Sequence, residues 1–392
     1  MPNKPSILFI AAWWPTKEDP GSGIFIREHA LALADKWNVH VVYLSIEKSE
    51  GLQFPKTRVV HEEDEGLSVH RIQVNTPIRR FGIHDTLVKR AYNQSISELV
   101  DQHAPIGYVT NVRSHLTKYV PELSSLKGLP FVHIEHFSYY HRIFPTLEST
   151  EQERERREIS QWFENSNCKK TLVVSNDLKS TLSKEFGVDP KQIVRINNVV
   201  PNAFDFIQKE HFDDRIQIMC VGIWEEPKRL DLLIEALDKL ADGTPSLVIR
   251  IFGRGSQLDD IRKNASSNKT HEVVIEGFKS KDEIARAMQR ADFLIHPTDA
   301  ENAPTVISEA LCCGLPVLSM HVNGIPEMID DSNGFLIVPS DAEVLKEGIL
   351  RMIQKLDGYD KAVIAEHARR HYSKAAVSTM LNEQLTEAFI NG

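Results

Sequence analysis

Apolar and polar positions follow two alternating rhythms along the chain, and the changes between them mark out its elements. Residues 7–11, ILFIA, form a short continuous apolar run bounded by Trp13, Trp14 and Pro15. The polar stretch TKEDPGSG follows, and then IFIREHALALADKW, whose apolar positions recur every three to four residues. NVHVVYL returns to a strand-like run. Strand, glycine-containing loop, helix and strand make the start of a βαβ unit. The same reading predicts strands in LSVHRIQV, GYVTNV, PFVHIEH, TLVVS and QIVRIN, and helices over 82–103, 150–167 and 177–186.

Near residue 215 the pattern starts again. IQIMCVG reads as a strand, IWEEPK as a loop, RLDLLIEALDKLAD as a helix and SLVIRIFG as a strand. HEVVIEG, KDEIARAMQR, ADFLIHP, PTVISEAL and PVLSM continue the alternation. Residues 197–214 lose periodicity and mark a boundary. The expectation is therefore an α/β protein of two tandem doubly wound, Rossmann-like domains over 1–200 and 201–375. A last helix, about 376–392, is expected to return to the first domain. Ligands of such sheets bind outside the carboxyl ends of the strands, so two sheets facing across a cleft would share a site there.

One stretch of the second half carries specific chemistry. In HPTDAENAPTVISEALCCGLP, Pro304 suits the first turn of a helix, where its missing N–H is not needed. Val306, Ile307, Ala310 and Leu311 give the apolar stripe, and Gly314 and Pro316 end the helix. Glu301 then precedes the helix and Glu309 points from its second turn. The amides near Ala303, Pro304, Thr305 and Val306 would suit a phosphate. A ligand built as polyhydroxyl, diphosphate, polyhydroxyl could lie along this element, as a nucleotide sugar does. A solvated helix with two surface glutamates fits the local pattern as well.

Composition narrows the class. The 392 residues exceed one ordinary core. A formal net charge of −9 argues against nucleic acid as the main partner. Four cysteines, Cys168, Cys220, Cys312 and Cys313, have neither disulfide-framework nor zinc-site spacing, and imply a reducing compartment. The N-terminal apolar run lacks a small-residue cleavage site and reads as a buried strand rather than a signal peptide. No apolar run reaches the ~18 residues of a membrane span.

The ordered set of motifs resembles the retaining GT-B glycosyltransferases, especially family 4. It comprises VGIWEEPKRLDLLIEAL, the pair Glu301 and Glu309 separated by seven residues, Gly314-Leu315-Pro316, and Gly324-Ile325-Pro326-Glu327. The resemblance covers nearly the whole chain and is far more specific in the second half. It implies that Glu309 holds the donor ribose hydroxyls and Glu301 lies against the transferred sugar. The helix amides between them would touch the diphosphate. Carboxylates suit this, because each can accept hydrogen bonds from two vicinal hydroxyls. The family also places an arginine and a lysine after the first strand of the second domain, to neutralise the leaving diphosphate. Lys228 matches the lysine, but Ile223 stands where the arginine is expected. Arg229 could take over that charge, or it could be a surface arginine at a helix start.

The resemblance extends to further positions. PGSGIFIREHA matches a glycine loop approaching the donor phosphate, with Gly23 a better candidate than Gly21, although a plain tight turn also fits. His136 matches the strand-end histidine that meets the transferred sugar or organises the reacting centre, whereas His133 reads as a packed side chain. Arg254 would face the nucleotide, and the backbone at Gly277 and Phe278 would read the base edge, unless Phe278 is ordinary core. The absence of Asp-x-Asp from the sequence fits a metal-independent enzyme with no cofactor. The cluster Arg79, Arg80, Phe81, Ile83, Leu87, Lys89 and Arg90 suggests either peripheral contact with an anionic membrane or a solvated amphipathic helix.

The expected activity is transfer of a sugar, with retention, from a nucleotide diphosphate sugar to a saccharide or lipid-linked saccharide acceptor. The expected setting is polysaccharide or glycolipid assembly in the cytoplasm, at the membrane surface. Two alternatives share the fold: a nucleotide-sugar epimerase, and a nucleotide-sugar-binding protein that has lost activity through Ile223. A dehydrogenase is disfavoured because Ile24-Phe25-Ile26 follows Gly23 and breaks G-x-G-x-x-G.

Overall fold

The apolar run at the N-terminus forms β1 (Ser6–Ala11), with Ile7 to Ala11 fully buried, as a central parallel strand requires. The computed structural model describes residues 4–48, 56–76, 83–165, 167–208, 215–240, 244–258, 261, 271–338 and 341–391. Two compact units divide the chain. One comprises residues 1–174, 179–197 and 377–392, and the other 175–178 and 198–376.

In the first unit, α1 (Ile24–Leu33) follows β1, and β2 (Asn38–Lys48), β3 (Lys56–Asp64) and β4 (Leu67–Thr76) come next. Then come α2 (Ile83–His103), β5 (Tyr108–Asn111), β6 (Phe131–Glu135), α3 (Tyr139–Arg142) and α4 (Ser149–Phe163). β7 (Cys168–Val173), α5 (Asn176–Phe186) and β8 (Ile193–Arg195) complete the series. The sheet order is β3-β4-β2-β1-β5-β6-β7-β8. Every pairing is parallel except β3 with β4.

β3 was not legible as a strand. Its residues KTRVVHEED are exposed or half-buried, and it sits at an edge, where charge blocks further pairing. The helix expected over 150–167 stops at Phe163, and Cys168 already opens β7. Gly23 is the N-cap of α1 at φ 64°, and a Cβ there would lie 2.5 Å from the Trp13 carbonyl oxygen. Both the left-handed backbone and the close approach demand glycine.

In the second unit, β9 (Ile216–Ile223), α6 (Leu230–Asp238), β10 (Leu247–Arg254), β11 (Glu272–Gly277), α7 (Lys281–Met288) and β12 (Phe293–His296) follow in order. α8 (Thr305–Cys312), β13 (Val317–Met320), β14 (Gly334–Ile337), α9 (Ala342–Lys355) and α10 (Lys361–Tyr372) complete it. The sheet order is β11-β10-β9-β12-β13-β14, parallel throughout. Alternate residues of β9 feed opposite cores. Met219 joins Ile307, Leu311 and Ile364 on one face, and Ile218 and Cys220 join Leu233, Ile249 and Leu345 on the other.

The last helix, α11 (Lys374–Phe389), packs on the first unit's elements. Trp37 Nε1 donates to Asn382 Oδ1 at 2.8 Å, and the rings of Trp37 and Phe389 meet edge to face. The four cysteines are free and buried, and burial pushes each thiol well up from its ordinary range.

Candidate active site

The chain runs outward from β9 to β11 on one side of the second sheet, then returns and runs outward from β12 to β14 on the other. The reversal leaves a switch point between β9 and β12, at whose carboxyl ends such sheets bind ligands. Register places Ile223, Arg254 and Gly277 at the ends of β9, β10 and β11, with His296 ending β12.

Lys228 follows β9 and is nearly buried. Its backbone forms an antiparallel bridge with Thr298 in the loop after β12. Its Nζ donates to the Glu301 carboxylate and lies 3.0 Å from His296 Nε2. The two residues expected to handle the sugar and the diphosphate therefore meet at the switch point. His296 is fully buried, and burial, reinforced by the Lys228 cation, holds its imidazole well below the usual range. It therefore stays neutral and can accept from Lys228. Ser319 Oγ donates to the His296 carbonyl at 2.8 Å, tying β13 to the same point.

The Glu301 loop is held by backbone contacts. Asn323 Oδ1 accepts from Glu301 N at 3.2 Å, and Gly324 N donates to Glu301 O at 3.2 Å. A Cβ at Gly324 would fall 1.9 Å from the Asn302 carbonyl oxygen, so only glycine lets the two loops approach this closely. Asn198 Nδ2 donates to Ala303 O at 2.8 Å.

α8 begins at Thr305, so Pro304 is its N-cap, one position before the first-turn place expected from the sequence. The extended ψ of 123° at Pro304 explains the shift. Among the described residues no side chain caps this helix, which leaves its first amides to the backbone or a ligand. Glu309 is not a surface residue. Its side chain is only 4% exposed, against 25% for Glu301, which rules out the reading as two solvated glutamates. Burial raises its carboxyl above the usual range, partly opposed by the Lys281 ammonium that donates to it. Lys281, at the start of α7, lies 5.5 Å from the ring of Phe204.

Ile223 is 54% exposed and offers no charge at the end of β9. Arg229 is the N-cap residue of α6. Its guanidinium is shared between Asp231, with Nε at 3.1 Å, and Asp299, with Nη1 at 3.3 Å. The hydrogen bond to Asp231, foremost, raises its pKa further. Arg254 lies 5.8 Å from the ring of half-exposed Phe278, which is not core, and Gly277 turns the chain at φ 74°. Glu327, in the last matching motif, accepts from the amides of Asn176 and Asp177 at 2.8 and 2.9 Å, residues that belong to the same second unit.

In the first unit the loops after β1 and β6 hold Gly21, Gly23 and His136. His136 packs against the rings of Phe25 and His29, with centroids at 4.7 and 5.0 Å. Burial pushes His29 down to about 4, and its Nε2 donates to the Asn197 carbonyl at 3.1 Å. Buried Glu135 accepts from the amides of Arg113, His136 and Phe137 and from Tyr140 Oη, and fixes the chain direction at His136. Burial alone would raise the Glu135 carboxyl, but His133 and these amides outweigh it and hold it below its ordinary range. His133 is a packed side chain between Thr110 Oγ1 at 2.8 Å and Glu135 Oε2 at 3.2 Å. Gly21 and Gly23 lie in the loop after β1. In the basic cluster, Arg79, Arg80 and Phe81 lie outside the described residues, as does the Ile83 side chain. Leu87 is half-buried, Arg90 is exposed, and Lys89 pairs with Glu122 at 2.7 Å.

Sequence reasoning missed His296, Lys281, Asn323 and Glu135. Glu135 ends a strand next to His136, and His296 ends a strand and opens the stretch that carries Glu301 and Glu309, which was the available signal. Lys281 carried none, because only the fold brings it to Glu309.

Residues 202–371 match the family model described as glycosyl transferases group 1, and residues 21–204 match glycosyltransferase family 4. The amylovoran biosynthesis glycosyltransferase AmsK of Erwinia amylovora is 28% identical over 44% of this chain and 44% of its own length. The sulfoquinovosyl transferase of Arabidopsis thaliana is 29% identical over 44% of this chain and 33% of its own length. The chain thus spans less than half the length of these curated relatives. The sucrose-phosphate synthase of Thermosynechococcus elongatus superposes with a TM-score of 0.77 at 17% identity, covering 99% of this chain and 100% of that one. HepE of Anabaena, crystallised with UDP, gives 0.70 at 14% identity, covering 97% and 100%. These likenesses show the GT-B fold, and the two family models together take in nearly all of the sequence: the chain belongs to family 4 of the glycosyltransferases, the group 1 glycosyl transferases.

Proposed function

We propose that the protein transfers a sugar, with retention of anomeric configuration, from a nucleotide diphosphate sugar to a saccharide or lipid-linked saccharide in polysaccharide or glycolipid biosynthesis. The observation that carries this reading is the meeting of Lys228 and Glu301 at the switch point, beside a helix N-terminus with no side-chain cap. In this reading Lys228 and the first amides of α8 take the diphosphate, as a cation and an oriented dipole end can. Glu301, released from Lys228, accepts hydroxyls of the transferred sugar. Glu309 accepts the ribose hydroxyls.

Arg254, Gly277 and Phe278 sit on the nucleotide side. The contact of His136 with the sugar and of Gly21 and Gly23 with the donor phosphate rests on the family resemblance. Attack comes from the face the phosphate leaves, and the departing phosphate oxygen accepts the acceptor's proton. The setting is the cytoplasm. Peripheral contact with an anionic membrane through residues 79–90 belongs to the same proposal, and no helix among the described residues is long and apolar enough to cross a membrane.

The test is transfer to an acceptor with UDP-, GDP-, TDP- and CDP-sugars in excess EDTA. Activity should persist, with the product anomer matching the donor. Complete loss on chelation, restored by magnesium or manganese, or an inverted product, would overturn the reading.

Ile223 makes a second prediction here. Arg229 already serves two carboxylates, so Arg229→Ala should change kcat by no more than about twofold, the range of a surface substitution. Ile223→Arg should raise kcat in both the parent and the Arg229→Ala background by similar factors. Non-additive effects in the double mutant would mean instead that Arg229 acts on the same developing charge.

A further inference from the structure

Four histidines of the first unit gather at one end of its sheet, away from the strand ends that carry His136. His40 is the third residue of β2 and His70 the fourth of β4, and the register pairs Val42 with His70. His103 is the last residue of α2, and His61 faces His70 across the β3–β4 pair. One ring nitrogen from each of His40, His70 and His103 lies within 4.8 Å of the other two. His40 is 3% exposed and His70 6%. Among the described residues, His40 Nδ1 and His70 Nε2 are buried without a hydrogen-bond partner. Buried nitrogens left unpaired cost stability and call for an explanation.

We propose that His40, His70 and His103 form a binding site for a divalent transition metal of the zinc class. Imidazole suits zinc, copper and nickel, and three histidines with an open fourth position form a known zinc ligand set. The second nitrogens of the two buried ligands are already held. His70 Nδ1 lies 2.8 Å from His61 Nδ1, so with His70 Nδ1–H donating to His61 the Nε2 lone pair of His70 is left for the metal. His40 Nε2 lies 3.1 Å from the Asn38 amide, and with that amide turned to accept from Nε2–H, the Nδ1 lone pair is likewise available. Such outer hydrogen bonds are what fixes the tautomer and orientation of metal-bound imidazoles.

A tetrahedral ion with bonds of about 2.0–2.1 Å holds its nitrogens roughly 3.3 Å apart. His103 supplies the adjustment. It is half-buried at a helix end, and its ring lies face to face with His40 at 3.8 Å, so rotation of one side chain closes the set. The site sits near the amino ends of β2 and β4. Its metal would pin the end of α2 to the sheet and take no part in transfer.

The untagged full chain, stripped with chelator and dialysed, is titrated with Zn²⁺ and separately with Co²⁺. One tight equivalent per chain and tetrahedral cobalt bands in the visible spectrum are expected. Zinc at about 100 times its Kd should shift the unfolding equilibrium about 100-fold toward the native state. His103→Gln should abolish the tight equivalent. His371→Gln, in a separate histidine pair on α10, should leave it intact. In the unaltered chain, zinc should protect His103 from diethyl pyrocarbonate, a readout that does not depend on a variant folding. No tight equivalent, its survival in His103→Gln, its loss in His371→Gln, or an unprotected His103 would overturn the proposal.

Discussion

Replacing Lys228 with methionine should lower kcat by about 10²–10³-fold, the loss seen when one preorganised group at a developing negative charge is removed. Ile223 leaves no second motif cation after β9, and Arg229 is held by Asp231 and Asp299. In the proposed reading the diphosphate therefore depends on Lys228 and the amides of α8. Methionine keeps much of the buried stem while removing the ammonium, and neutral His296 then needs only a water in place of its donor. The fold should survive, as a thermal melt would show. Lys228→Arg should recover part of the rate, because charge returns but the fork does not fit a site made for a point charge between His296 and Glu301. Steady-state kinetics with saturating donor decide it. A change within about twofold for Lys228→Met would place leaving-group stabilisation elsewhere.

Much of the local geometry of this candidate site is readable in the sequence, because it is packed into short segments whose local rules are strong. The run from Glu301 to Pro316 states its own helix through Pro304, the apolar stripe and Gly314, and the structure moves only the cap by one residue. The doubly wound pattern was legible for the same reason: buried parallel strands are continuous apolar runs, and β1 and β12 are nearly pure examples. β3 was not, since an edge strand needs few apolar residues and its pairing with β4 is a long-range fact. Partnerships across the sequence were equally invisible. Lys281 beside Glu309, His296 beside Lys228, and the gathering of His40, His61, His70 and His103 all depend on strand order and register. The histidines have no motif spacing, so a reading based on spacing found no metal site.

Glu309→Ala should weaken binding of the free nucleoside diphosphate by about 10- to 150-fold, while Glu301→Ala should change that affinity little and lower kcat by on the order of 10²-fold. The first figure is the ~1.5–3 kcal/mol of a charge-assisted hydrogen-bonding partner. The two carboxylates differ in burial and in what already holds them. Glu309 is enclosed at 4% exposure within α8 and its carboxyl is raised by burial, so it is costly to keep charged without partners. Lys281 supplies one partner, and vicinal ribose hydroxyls would supply two more in the bound state. Glu301 sits outside the helix at 25% exposure, tied to Lys228, which in the proposed reading turns to the diphosphate. Its proposed hydroxyl contacts are to the sugar, which the free nucleotide lacks, so calorimetry with the diphosphate alone should not register its loss. Alanine at 309 leaves Lys281 free to reach water from its half-exposed position, so the fold should persist. Calorimetry on both variants, followed by kcat with the intact donor, separates the two roles. Small and equal effects from both would reject the order of ribose, diphosphate and sugar along α8.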